Sequence, residues 1–307
     1  MISHDWKASS GVPVATPSEL AASAPVSWRH RTGSLRLDER PLIMGILNVT
    51  PDSFSDGGRY SDPDRAVAHG LAMAEDGADI LDVGGESTRP GAEETDAAEE
   101  LRRVIPVVQA LRKRTETPIS VDTRKAEVAR QAIEAGAVIV NDVSACAHDP
   151  AMADVVVKYG VGLVLMHMRG DPRTMQDAPE YSDVVRETTN ELLERANGLL
   201  AKGVERERLA LDPGIGFGKT LDHNLDLLAR LSALVATGYP VAAGVSRKSW
   251  IGAITGRATG ERLAGSLAAA VHCFAQGARV LRVHDVRETR DAIAVAVALK
   301  RTSHGLA

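Results

Sequence analysis

From Pro41 onward the chain alternates between short runs of apolar, often β-branched residues and longer stretches whose apolar positions recur at helical spacing. The runs read LIMGILN, DILDVGG, PISVDT, VIVNDV, GLVLMH, LALDPG, VAAGVSRK and RVLRVHD, and begin near residues 42, 79, 118, 138, 162, 209, 241 and 279. Runs this short and this continuously apolar are what strands buried on both faces require. The stretches between them are the covering helices, Asp64 to Glu75 and Glu261 to Gln276 among them. Eight successive β-then-α units predict one (β/α)8 TIM barrel, α/β in class. Two doubly wound halves would alternate in the same way, but no linker-like break interrupts the series. Before it, WRHRTGSLRL (Trp28 to Leu37) has a Gly-Ser turn between two short segments and predicts a hairpin. The Ser-, Ala- and Pro-rich residues ahead of that show no sustained periodicity and predict a flexible tail. The expected organisation is therefore tail and hairpin over residues 1–34, and the barrel over 35–307.

Composition narrows the function. With 44% hydrophobic and 25% charged residues over 307 positions, a full core can be buried. A net charge of -5 leaves no chain-wide basic field for nucleic acid or an anionic membrane, so an anionic substrate must be held by local cations. Two cysteines are too few for a disulfide framework, which suits a reducing compartment. No apolar run reaches the ~18 residues of a membrane span, and no signal-peptide pattern opens the chain. A cytoplasmic protein is expected.

The runs end in chemistry: Asn48; Glu86 to Arg89; Asp122; Asn141 and Asp142; His167; Asp212; Ser246 to Lys248; Arg282 and His284. Singly, such residues cap helices or make turns. In a barrel, however, the C-terminal strand ends converge on one rim, so these positions are expected to face a shared pocket. Acids, an amide and a lysine among apolar neighbours suit a flat, hydrogen-bonding heterocycle. Asp212 matches a guanidine-like edge as it would an arginine, and Lys248 a carbonyl or ring nitrogen opposite. Asn141 serves in either sense.

Arg282 and His284 leave one face of the last strand and, with Asn48, form a candidate phosphate or diphosphate site. A core or capping role for His284 stays open. The long stretches NVTPDSFSDGGRYSD and GGESTRPGAEET follow the first two strands and are lid candidates. Phe54, on the first of them, either closes over a ligand or packs on the rim.

The segment LALDPGIGFGKT imitates a nucleotide phosphate loop, but the position of that motif's first glycine is Pro213, which has no N–H to offer. The even spacing of Gly214, Gly216 and Gly218 also fails the dinucleotide fingerprint. A metal-dependent hydrolase would need more histidines on the strands than His167. A Schiff-base aldolase would rest on Lys248 alone.

Together GILNVTPDSFSDGG, GGESTRPGA, SVDT, NDVS, LMHMRGDP, DPGIGFGKT, GVSRKSWIG and RVHDV resemble the dihydropteroate synthase family, in order, from Pro41 to about Leu299. The resemblance implies a TIM-barrel transferase of folate biosynthesis that joins para-aminobenzoate to 6-hydroxymethyl-7,8-dihydropterin diphosphate and is blocked by sulfonamides. It implies a pterin pocket of Asp122, Asn141, Asp212, Phe217 and Lys248, with Met166 in the floor and Arg282 on the ring face. It further implies diphosphate binding by Arg282 and His284, and Mg²⁺ held in part by Asn48. Thr88, Arg89, Phe54 and Ser249 would serve the aminobenzoate, and Asp56 with Asp122 would face developing positive charge. Lys219 and Thr220 would lead into the next helix, and a homodimer through the later helices is the family habit. Arg169 departs from the glutamine of the family pattern. A pterin-dependent methyltransferase module and a non-catalytic pterin-binding protein remain the alternatives.

Overall fold

The computed structural model describes residues 27–50, 62–87, 92–171 and 174–303. The hairpin comprises β1 (Ser27–His30) and β2 (Gly33–Arg36). Its turn is Arg31-Thr32 rather than the expected Gly-Ser pair, and β2 runs past residue 34. Register explains the shift: Trp28 pairs with Leu35, so both apolar side chains meet the same buried cluster.

All eight expected runs form strands: β3 (Leu42–Asn48), β4 (Ile80–Gly84), β5 (Ile119–Asp122), β6 (Ile139–Asp142), β7 (Gly162–Met166), β8 (Leu209–Asp212), β9 (Ala242–Gly244) and β10 (Val280–Val283). Neighbours pair in parallel in the order β8-β7-β6-β5-β4-β3-β10-β9, which puts the first barrel strand beside the last and rules out two separate sheets. A parallel bridge between Leu211 and Val241 joins β8 to β9 and completes the ring. The observed helices keep to the expected places with shifted ends, as at Asp62–Glu75 and Leu263–Ala275.

Alternation along each strand divides the core in two. Residues facing outward, such as Ile43, Leu81, Val121, Val140 and Leu211, pack against the helices. The inward set at the N-terminal end of the barrel, Leu42, Met44, Ile80, Ile139, Val164, Ala210, Ala242 and Val280, packs with Trp28 and Leu37 of the hairpin segment. Trp28 is fully buried, and its indole N–H donates to the Arg208 carbonyl at 2.8 Å. The hairpin thus plugs one mouth of the barrel and leaves the strand C-termini to form the other.

Candidate active site

Strand register brings distant residues to one level. Asp122 lies opposite Asn141 on β6 and Gly84 on β4, Met166 lies opposite Asp212, and Arg282 lies between Met44 and Gly244. Arg282 Nη2 donates to Asp122 Oδ2 at 2.6 Å. Its Nε donates to Asp82 Oδ2 at 2.6 Å, and Asn141 Nδ2 reaches the same oxygen at 3.0 Å. Asp82 is wholly buried and was not among the expected residues. It escapes a search confined to strand ends because it sits in the middle of β4. The available signal was its period-two phase with Gly84, which places its side chain inside the barrel below Asp122.

On the other side of the bowl, Asp212 Oδ1 accepts from the Gly214 N–H at 2.7 Å. Gly214 is left-handed (φ 66°), and a Cβ there would stand 1.9 Å from the His167 carbonyl oxygen. Only glycine lets the backbone pass so close to the end of β7. Lys248 Nζ lies 4.2 Å from the centroid of the Phe217 ring, a cation–π contact. Met166 is buried at the end of β7.

Burial governs the protonation of this group. It raises Asp122 to about 7, with Arg282 opposing and Asp82 assisting. It also raises Asp212, against the Gly214 N–H and Lys248. It lowers Lys248 to about 8, with Asp212 opposing. For Arg282 burial is outweighed by Asp82 and Asp122, which hold the guanidinium charged.

The expected diphosphate residues lie at the same end of the barrel. His284 Nδ1 is 3.1 Å from Ser246 Oγ, and burial, then Arg282, holds its pKa at about 3. In the ligand-free site the ring is therefore neutral. Asn48 ends β3 half-buried at the rim. Ser249 is the first residue of the helix Ser249–Thr255. Phe54, Asp56, Thr88 and Arg89 lie outside the described residues.

Not every strand end turns to the pocket. Asp142 accepts from the Ser144 and Cys146 N–H groups and so holds the turn after β6. Glu86 pairs with Arg124 and Lys125, and Arg247 with Asp285. Lys219, expected as a lead into a helix, is buried with Nζ 2.9 Å from His167 Nδ1, and burial lowers it to about 7 with Asp212 opposing. Thr220 does cap the helix Leu221–Ala229 as its position implied. What remains in the bowl is an acid–amide wall, an acid–lysine wall and a guanidinium. Such a set can hold a planar heterocycle by both edges.

A family model for pterin binding enzymes matches residues 44–284. The dihydropteroate synthase of Escherichia coli K12 is 50% identical over 255 residues, covering 83% of this chain and 90% of that protein. The Mycobacterium leprae dihydropteroate synthase is 49% identical over 265 residues, covering 82% and 91%. Among solved structures, Xanthomonas albilineans dihydropteroate synthase with 4-aminobenzoic acid superposes with a TM-score of 0.85 at 50% identity, covering 90% of this chain and 98% of that one. The same enzyme in complex with 7,8-dihydropteroate gives 0.82 at 47% identity, covering 89% and 98%. A Yersinia pestis dihydropteroate synthase with a sulfonamide drug complex gives 0.84 at 43% identity, covering 89% and 99%.

Proposed function

The chain belongs to the pterin binding enzyme family, among its dihydropteroate synthases, and on that premise we propose how its residues share the work. It is a transferase that condenses 6-hydroxymethyl-7,8-dihydropterin diphosphate with para-aminobenzoate, giving 7,8-dihydropteroate and pyrophosphate in folate biosynthesis. The observation that carries the assignment is the meeting of Asp122, Asn141 and Asp212, from three strand ends, and Lys248, from the N-cap of the helix after β9, around one guanidinium.

In this reading Asp212 accepts two hydrogen bonds from the guanidine-like edge of the pterin, and Lys248 donates to its carbonyl or ring nitrogen. Asn141 and Asp122 complete the edge, Met166 forms the floor, and Phe217 and Arg282 flank the ring. The bond between the pterin's methylene carbon and the diphosphate oxygen breaks first, its electron pair leaving with pyrophosphate. The resulting cation is spread over the ring, and Asp122, ionised, faces it together with Asp56. The amine of para-aminobenzoate then forms the new C–N bond and releases a proton to water. Thr88, Arg89, Phe54 and Ser249 orient the aminobenzoate. Arg282 supplies charge to the departing diphosphate, and neutral His284 a hydrogen bond.

Magnesium is part of this proposal. Among the described residues no three His, Cys, Asp or Glu side chains gather as a metal cage, and Asn48 offers a single amide oxygen at the rim. That sparse donor set fits an ion that arrives on phosphate oxygens and keeps its waters. When bound, it supplies counter-charge to the leaving pyrophosphate.

The enzyme is further proposed to work as a cytoplasmic homodimer. An apolar groove of about 480 Å³ lies between the helices Leu221–Ala229, Ser249–Thr255 and Leu263–Ala275, lined by Leu225, Trp250, Ile254 and His272 among others. Leu225, Ile254 and Leu263 stand exposed on these helices, the pattern of a face that pairs with its own copy. No helix of the described residues is long and apolar enough to cross a membrane.

The decisive experiment mixes the protein with the pterin diphosphate, para-aminobenzoate and Mg²⁺ and measures pyrophosphate and dihydropteroate together. One pyrophosphate per dihydropteroate is expected, with loss of both on chelation of the metal. Tight pterin binding with no pyrophosphate release would instead identify a non-catalytic binder.

A further inference from the structure

Lys219 follows the last glycine of the loop between β8 and the helix Leu221–Ala229, where a solvent-facing side chain would suffice. Instead it is only 3% exposed. Its Nζ lies 2.9 Å from His167 Nδ1, 2.9 Å from the Phe217 carbonyl and 3.4 Å from the His167 carbonyl. Three acceptors around one nitrogen match the three hydrogens of an ammonium. Burying that charge is costly, and an apolar side chain would fill the space more cheaply, so the hydrogen bonds are where its use must lie.

The other partner is prepared for this contact. His167 Nε2 is 3.0 Å from Glu191 Oε2, and Glu191 is in turn paired with Arg169. Burial, then Lys219 and Arg169, holds His167 neutral at about 2. A neutral ring that gives its Nε2–H to Glu191 presents a bare Nδ1 to Lys219, so the tautomer follows from the network.

The loop so fastened is the one that grips the ligand in the reading above. Asp212 begins it, and the His167 N–H donates to the Asp212 carbonyl at 3.0 Å. Phe217, whose carbonyl Lys219 holds, faces Lys248 with its ring. Gly218 touches the preceding loop so closely that a Cβ would stand 2.4 Å from the Arg169 carbonyl oxygen. Tyr181 donates to the Gly218 carbonyl and Gln176 to that of Gly216. The end of β7 and the glycine-rich loop are thus laced together behind the pocket, with Lys219 at the centre.

We propose that Lys219, acting through His167, is a positioning residue for the pterin: it ties the loop after β8 to the end of β7 and so sets Asp212 and Phe217 at the distance the ring requires. This rests on the pterin-condensing reading. It touches no reacting atom and leaves the aminobenzoate side of the site alone.

Steady-state kinetics with both substrates varied provides the test. Lys219→Met and His167→Leu are each expected to raise KM for the pterin diphosphate about tenfold, while KM for para-aminobenzoate stays within about twofold. His167→Asn, whose amide oxygen takes the place of Nδ1 as acceptor, is expected to bring the pterin KM back to within about threefold of the unaltered enzyme. Because one tether is cut twice, the double variant Lys219→Met/His167→Leu should be no worse than the worse single variant. Equal rises in both KM values, an unchanged pterin KM, additive losses, or an asparagine variant no better than leucine would each overturn the proposal. Should Lys219→Met fail to fold, the comparison of leucine with asparagine at 167 decides it. Loss of turnover in the unaltered enzyme would sink the functional reading itself, whereas normal turnover with an unresponsive pterin KM sinks only the tether.

Discussion

The two ends of the barrel interior are built on the same strands, yet they share almost no chemistry. Ile80 and Asp82, Ile139 and Asn141, Ala210 and Asp212, and Val280 and Arg282 are inward-facing pairs one step of the pleat apart. The first member of each pair packs beneath the Trp28 plug, and the second takes part in the polar bowl. A single strand therefore passes from packing to chemistry within two residues. The apolar floor keeps water from the buried carboxylates, and the carboxylates can be held near one another only because Arg282 stands between two of them.

Substitutions at matched heights separate these roles. The largest effect is expected for Arg282→Ala, which should lower kcat/KM by about a thousandfold, the scale of losing a charge-stabilising donor. Urea denaturation of the same variant shows whether the bowl also bears stability; a loss as great as that of the floor would erase the contrast drawn here. Next, Trp28→Ala should cost about 3–5 kcal/mol in urea denaturation by opening a cavity, while the folded fraction keeps both KM values. A raised pterin KM in that variant would mean that the floor also shapes the site.

Titration provides a third and subtler division. The bowl needs Asp122 ionised and Lys248 charged, so kcat/KM for the pterin diphosphate should rise through about 7, fall through about 8 and lose its acid limb in Asp122→Asn. Stability runs the other way. Asp122 is raised from its ordinary 3.8, so its stabilising share is complete below about 4 and is lost as pH rises through about 7. Lys248 is lowered from 10.5, so its share is present above that value and is lost as pH falls through about 8. Thermal melts of the ligand-free protein across pH read both. The smallest catalytic effect should come from Ile254→Glu in the exposed groove, which is expected to halve the mass seen in sedimentation and change kcat by less than about twofold.

Much of this was legible in the chain. Strand starts fell within one residue of their expected positions because strands buried on both faces announce themselves as unbroken apolar runs. Asp122, Asn141 and Asp212 stood out because a strand end is a place sequence can locate, whereas Lys248, read as the end of its run, caps the helix four residues beyond β9. Asp82 did not, since its partner Arg282 is 200 residues away and only closure of the ring between β3 and β10 makes them neighbours. Lys219 was hidden for a related reason: a lysine at a helix approach reads as exposed until the loop after β7 is laid over it. The hairpin turn was misplaced by local glycine preference, which lost to the register that buries Trp28 beside Leu35.

The plug also bears on how the chain is made. Trp28 emerges from the ribosome early, but the carbonyl its indole seeks belongs to Arg208, 180 residues later. No nascent fragment ending before β8 can offer that acceptor, so this hydrogen bond forms only after the residues that lead into β8 have been made. One indole thereby joins the entry of the barrel to the approach of its sixth strand, a closure that spans the sequence from Trp28 to Arg208.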